Sequence, residues 1–143
     1  MNKISIALLL TLLTACSSTP KTKVEEIKVV AEAEANSNTA TALDIVFVFD
    51  TNAVSMLPKT GPDWFDKKAA LVNGLAKSIA VVPLQVPPAM TLEVPLPDNY
   101  SKAIGVYSFA NYLEAAGQPA GNLTPYKQMT IRLKSDNVVY SGD

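Results

Sequence analysis

A chain of 143 residues with 12 lysines and arginines against 13 aspartates and glutamates carries a formal charge of −1 and contains no histidine. A faintly acidic chain without a basic cluster argues against nucleic acid as a partner, and the missing imidazole excludes Ser/His/Asp and Cys/His catalytic arrangements. A single cysteine allows no disulfide within the chain, so stability rests on burial.

The first predicted element is a secretory signal. Lys3 supplies a positive charge, Ile4 to Leu13 form an apolar run, and small residues lead into Cys16. The run is too short to cross a bilayer, which takes about 20 apolar residues. Leu13, Thr14, Ala15 and Cys16 read together as a bacterial lipobox, in which the thiol is alkylated by a diacylglyceryl group and the chain is cut before it. Residues 1–15 are therefore the expected signal peptide, and Cys16 the expected site of an N-acyl diacylglyceryl lipid, with no other cofactor. One myristoyl chain gives marginal membrane binding and each buried methylene adds about 0.8 kcal/mol, so three acyl chains hold a protein effectively permanently. Ser17, where an aspartate would favour the inner membrane, points to the outer membrane with the domain facing the periplasm. Residues 16–23 read as lipidated cysteine and polar tether, and 24–143 as a single domain.

Beyond the tether, Ile27, Val29, Ala31, Ala33 and Ala35 alternate with Lys28, Glu32 and Glu34, the period of a half-buried strand. Asn36 to Thr41 make a polar break, and Asp44 to Asp50 is a β-branched and aromatic run of strand length; the two strands are expected to be neighbours joined by this loop. Between Pro62 and Ala80 the residues Trp64, Phe65, Leu71, Val72, Leu75 and Ile79 recur near helical spacing. Pro62 and Asp63 suit a helix start, and Gly74 weakens the second half. Further strands are expected over Ala80–Gln85, Thr91–Leu96, Ala103–Leu113, Lys127–Lys134 and Val138–Ser141. The last two form a hairpin around Ser135, Asp136 and Asn137. Pro87 and Pro88 mark a turn, while Pro95 and Pro97 place their strand at a sheet edge. About seven strands with one helical insertion near 62–80 predict a mainly β fold, a small sandwich.

Chemistry is sparse along this chain. Glu25 with Glu26, Glu32 with Glu34, and Asp63 with Asp66 read as solvated or capping carboxylates rather than acid–base or metal pairs. No glycine-rich phosphate loop occurs. Tyr107, Phe109 and Tyr112 could line a carbohydrate site, although Tyr107 and Phe109 share a strand face and suit a core. The inventory favours a binding or scaffolding protein over an enzyme.

The order of segments resembles a known family. A lipobox is followed by an alternating strand, a polar loop, the strand DIVFVFD, the helix start Asp63-Trp64-Phe65, the run VVPLQVPPAMTLEVPLPD and the strand AIGVYSFANYLE. This order is similar to that of the outer-membrane lipoproteins of the type VI secretion system, the TssJ or VasD family. The resemblance implies a transthyretin-like or immunoglobulin-like β-sandwich with a helical addition. It also implies a role in binding the periplasmic C-terminal part of the inner-membrane subunit TssM, with outer-membrane lipid engaged by the acyl chains. The family's docking loop between the first two strands corresponds to Asn36, Ser37, Asn38, Thr39, Ala40 and Thr41, although here the loop is short and lacks proline and glycine. The alternative is a periplasmic lipoprotein whose sandwich binds a sugar or another envelope component.

Overall fold

The computed structural model describes residues 16–143; the expected signal peptide, residues 1–15, lies outside them. In chain order the elements are β1 (Glu26–Ala31), the single turn α1 (Ala35–Asn38), β2 (Thr41–Val48), α2 (Thr51–Met56), α3 (Gly61–Gly74), β3 (Ile79–Val86), β4 (Thr91–Glu93), β5 (Gly105–Asn111), β6 (Gly121–Asn122), β7 (Gln128–Leu133) and β8 (Val138–Gly142). They form two four-stranded sheets, ordered β4-β1-β7-β8 and β3-β2-β5-β6. The molecule is the β-sandwich that the alternation predicts, with eight strands among the described residues rather than about seven.

Alternation fixes what fills the space between the sheets. Ile27 and Val29 of β1 and Met129, Ile131 and Leu133 of β7 meet Leu43, Ile45 and Phe47 of β2 and Val106 of β5, all nearly solvent-free. β2 is buried on both faces, because its other side, with Val46 and Val48, packs with Phe109 against Trp64 of α3 and Ala53 of α2. Double burial explains why this strand reads as a continuous apolar run. A second core thus lies between sheet and helices. Asp44 sits on that face, and its Oδ2 accepts from Trp64 Nε1 at 2.8 Å and pairs with Lys68 Nζ at 2.7 Å. The Trp64 ring stacks on Phe109 at 4.7 Å between centroids.

Helix α3 starts as its residues require. Thr60 Oγ1 accepts from the Asp63 backbone N–H and donates to the Asp63 carboxylate, closing both ends of a cap. A Cβ on Gly61 would stand 2.1 Å from the Ala110 carbonyl oxygen, so only glycine lets the helix come this close to β5.

Three expectations change. First, β1 and β2 are not neighbours: β1 pairs antiparallel with β4 and parallel with β7, whereas β2 lies between β3 and β5 in the other sheet. Alternation reports which face of a strand is buried, not which strand lies beside it, and the intervening residues cross between sheets. Second, the helical pattern does not reach Ala80. The helix ends at Gly74, Leu75 N–H closes it onto Leu71, and Ile79 and Ala80 begin β3. Third, Asp50 does not continue a strand; it caps α2, accepting from Asn52 N–H at 2.7 Å. The proline expectations stand, since β4 is an outer strand and Pro87 and Pro88 lie between β3 and β4.

Candidate functional site

The clamped segment that follows Cys16 and the predicted loop fall at opposite ends of β1. Cys16 is exposed at the start of the described chain. Of the segment 16–23 expected as a tether, Thr22 and Lys23 are held to the domain: Thr22 N–H bonds Ala103, Lys23 N–H bonds Thr124 and the Thr22 hydroxyl also donates to Thr124. Val24 is buried behind them. Only Cys16 to Lys21 are left outside this clamp, a reach of about 20 Å if extended. From there β1 runs for its six residues, roughly 20 Å, and leads into α1 at its other end.

At that end Asn36, Ser37 and Asn38 all take positive φ, at 48°, 53° and 61°. Such a left-handed run costs about 1–2 kcal/mol per L-residue, less for asparagine than for serine, so neighbours must hold it. Asn36 N–H bonds the Lys134 carbonyl and Ser37 N–H the Ser135 carbonyl, each at 2.9 Å, docking the turn on the β7–β8 hairpin. The Asn36 side chain, 2% exposed, donates to the Asn111 carbonyl at 3.2 Å and accepts from Leu113 N–H at 2.8 Å. Its amide thereby takes the place of a missing backbone neighbour at the end of β5.

Tyr112 and Gln118 complete this end. The Tyr112 hydroxyl donates toward the carbonyls of Lys134 and Asn137 at 2.9 and 3.1 Å. Gln118 donates to the Asp136 carbonyl and accepts from Val138 N–H, each at 3.0 Å. Of the six loop residues, Asn36 and Thr41 are buried, while Ser37, Asn38, Thr39 and Ala40 face outward. The loop is thus a fixed protrusion offering hydroxyls, an amide and a methyl, not a hairpin connection. Sequence reasoning missed the clamp residues Tyr112 and Gln118; consecutive asparagine and serine residues without glycine were the available sign of a turn needing outside support.

Burial pushes the Tyr112 phenol from 10.0 up to about 12, with Tyr140, Asp136 and Glu32 adding smaller raising effects. Burial likewise raises Tyr140, whose hydroxyl crosses between the sheets to Ser108 at 3.2 Å. A folded-state pKa above the unfolded value contributes stability that is present below pH 10 and lost as the pH rises through about 12. Wild-type protein is therefore expected to lose stability between pH 10 and 12, and Tyr112→Phe, about 1 kcal/mol less stable at neutral pH, to lose less over that window. Urea titrations at stepped pH check this; equal alkaline slopes would contradict it.

The aromatic trio does not form a sugar platform. Phe109 is buried, Tyr112 is nearly so with its hydroxyl engaged, and Tyr107 is half-buried beside Val54 and Leu57. Among the described residues no three His, Cys, Asp or Glu side chains come together as metal ligands, and no helix is long and apolar enough to cross a membrane.

No protein-family model and no curated protein sequence matches this chain. Solved structures do. The chain is similar to the T6SS lipoprotein TssJ1 from Pseudomonas aeruginosa, with a TM-score of 0.63 and 12% identity, over 87% of this chain and 98% of that one. It is similar to Lip from Serratia marcescens, a membrane-bound component of the type VI secretion system, at 0.55 and 9%, over 82% and 97%. A chain in the structure of the T6SS protein TssM C-terminal domain from EAEC matches at 0.59 and 14%, over 87% and 100%. At these identities the likeness establishes a common fold, spanning nearly the whole length of each of those chains.

Proposed function

We propose that this protein is a divergent TssJ-like component of a type VI secretion membrane complex. In this reading it is a non-enzymatic lipoprotein, anchored in the outer membrane through Cys16, that tethers the periplasmic C-terminal part of TssM. The observation that carries it is polarity within the shared fold. The segment leading from Cys16 is clamped at one end of β1, and an ordered, outward-facing loop stands at the other. A protein that joins a membrane to a partner needs such an arrangement, with a pinned tether that fixes orientation and a rigid contact surface that loses little entropy on docking. Nothing in the packing of Tyr107 or Tyr112 favours the sugar-binding alternative.

The test uses the full chain in its host. Cys16→Ser is expected to abolish recovery with outer-membrane vesicles while leaving the fold intact, because Cys16 is exposed. Thr39→Arg, on the exposed part of the loop, is expected to leave membrane recovery unchanged and cut co-purification of TssM at least about tenfold, the effect of losing some 1.4 kcal/mol at an interface. TssM recovery unaffected by Thr39→Arg would remove the loop from the contact. Normal outer-membrane recovery of Cys16→Ser would remove the anchor.

A further inference from the structure

A sandwich of two open sheets has four outer strands, and the hydrogen-bond register decides what each presents. On β3 the residues bonded to β2 are Ala80, Val82, Leu84 and Val86, as the Phe49 N–H to Ser78 bond fixes, so Ile79, Val81, Pro83 and Gln85 turn their backbone groups outward. Pro83, without an N–H, sits in the middle of that row. On β4, Met90, Leu92 and Val94 bond β1, leaving Thr91, Glu93 and Pro95 facing out, again with a proline and with a charge. β6 is only two residues long, and the chain leading into it is covered, since Ala120 N–H bonds Lys59 and Gly61 N–H bonds Gln118. Prolines, charges, shortness and covering chain are the ordinary means of closing a sheet edge.

β8 carries no proline and no charge, and only the Gln118 side chain reaches its edge. The bonds Lys134 N–H to Asn137 and Asp143 N–H to Gln128 set the hairpin register, so Val138, Tyr140 and Gly142 point their backbone groups away from β7. Gln118 occupies Val138 N–H. The Val138 carbonyl and both backbone groups of Tyr140 and Gly142 remain on an edge with no proline and no charge between Val138 and Gly142. Val139 is 39% exposed on the outer face beside it.

We propose that β8 is a pairing edge for a second copy of this chain, antiparallel about a two-fold axis at Tyr140. All of these groups except the Gly142 carbonyl, whose place at the Val138 N–H is held by Gln118, find partners in that arrangement. Tyr140 N–H and C=O meet their own copies, and Gly142 N–H meets the Val138 carbonyl, the one group at that position which Gln118 leaves open. On the outer face Val139 stands opposite Ser141, and Asn137 opposite Asp143, an amide that can donate to a carboxylate; no charge faces a like charge. The two outer strands join into one eight-stranded sheet. Five residues of contact bury well under the ~800 Å² per partner of a stable complex, so the pair is weak in dilute solution. Crowding of copies on one surface would strengthen it by raising the effective concentration.

The register makes the test specific and independent of the membrane reading. Full-length chains carrying Cys16→Ser, one with Val139→Cys and the other with Ser141→Cys and a different tag, are oxidised mildly at about 0.1 mM, a concentration at which weak edge contacts are sampled. Mixed chains should form disulfide-linked dimers at least about tenfold more than either alone, because directly opposite Cβ atoms lie about 4.5–5.5 Å apart and diagonal ones about 7–8 Å. Thr91→Cys mixed with Glu93→Cys, on the closed edge of β4, should behave like the single variants. A mixture that links no better than its parts, or a β4 pair that links as well as the β8 pair, overturns the proposal. Both β8 positions are exposed, so the substitutions leave the core untouched.

Discussion

Lys68→Ala is expected to lower the unfolding free energy by about 3 kcal/mol, more than Asp44→Leu, although Lys68 is the more exposed partner of the pair. Asp44 has 3% of its side chain exposed and Lys68 34%. Removing the lysine leaves a carboxylate inside the packing of α3 on β2 with only the Trp64 N–H for company, and an uncompensated buried charge is the costly outcome, some 3–5 kcal/mol when burial is complete. Partial access at Lys68 puts this case at the low end. Removing the aspartate strands no charge, because the lysine can turn to solvent. What remains is the indole N–H of a fully buried Trp64 without an acceptor, about 1–3 kcal/mol, offset in part by the apolar leucine. Urea unfolding of both variants measures the order, and a larger loss for Asp44→Leu would show that the pair's role has been misassigned. The indole fluorescence of the only tryptophan reports the same region directly.

Asn36→Ala is expected to cost about 3 kcal/mol and to open the loop to protease. Two contributions separate here. The side-chain amide satisfies Asn111 and Leu113, and leaving those backbone groups unpaired costs about 1–2 kcal/mol together with the lost bonds. Alanine at a φ of 48° adds a conformational penalty that glycine escapes. Asn36→Gly should therefore be about 1 kcal/mol less damaging than Asn36→Ala, while both release Ser37 to Ala40 from their fixed position. Thermal unfolding resolves the first statement and limited proteolysis the second. Equal stability of the two variants would remove the backbone contribution, and an uncut loop in both would place the clamp in Lys134 and Ser135 instead.

What was legible in the sequence follows from what each signal measures. The period-two pattern of Lys127–Lys134 marked β7 and its buried face, and Ser135 and Asp136 marked the turn, because both are local. The helix start at Pro62 and Asp63 was visible for the same reason. Partner choice was not, since β1 pairs parallel with a strand about a hundred residues away and no local pattern reports that distance. The candidate loop was legible as a polar break, yet its shape depends on Asn111, Leu113 and the β7–β8 hairpin, all contributed from the far half of the chain. Asp44 read as the first residue of an apolar strand; that it is the buried acceptor of an indole and an ammonium twenty or more residues on required the fold.

The central position of β1 has a mechanical consequence. The clamped tether enters at its N-terminal end and the loop leaves at its C-terminal end, so tension between them runs along the strand axis. The hydrogen bonds to β7 on one side and β4 on the other lie across that axis rather than along it. A pull in this direction loads the whole ladder in shear, where many bonds must fail together, whereas the same bonds pulled from one end would part in sequence. In the tethering role proposed above, force runs in the one direction that these two ends define.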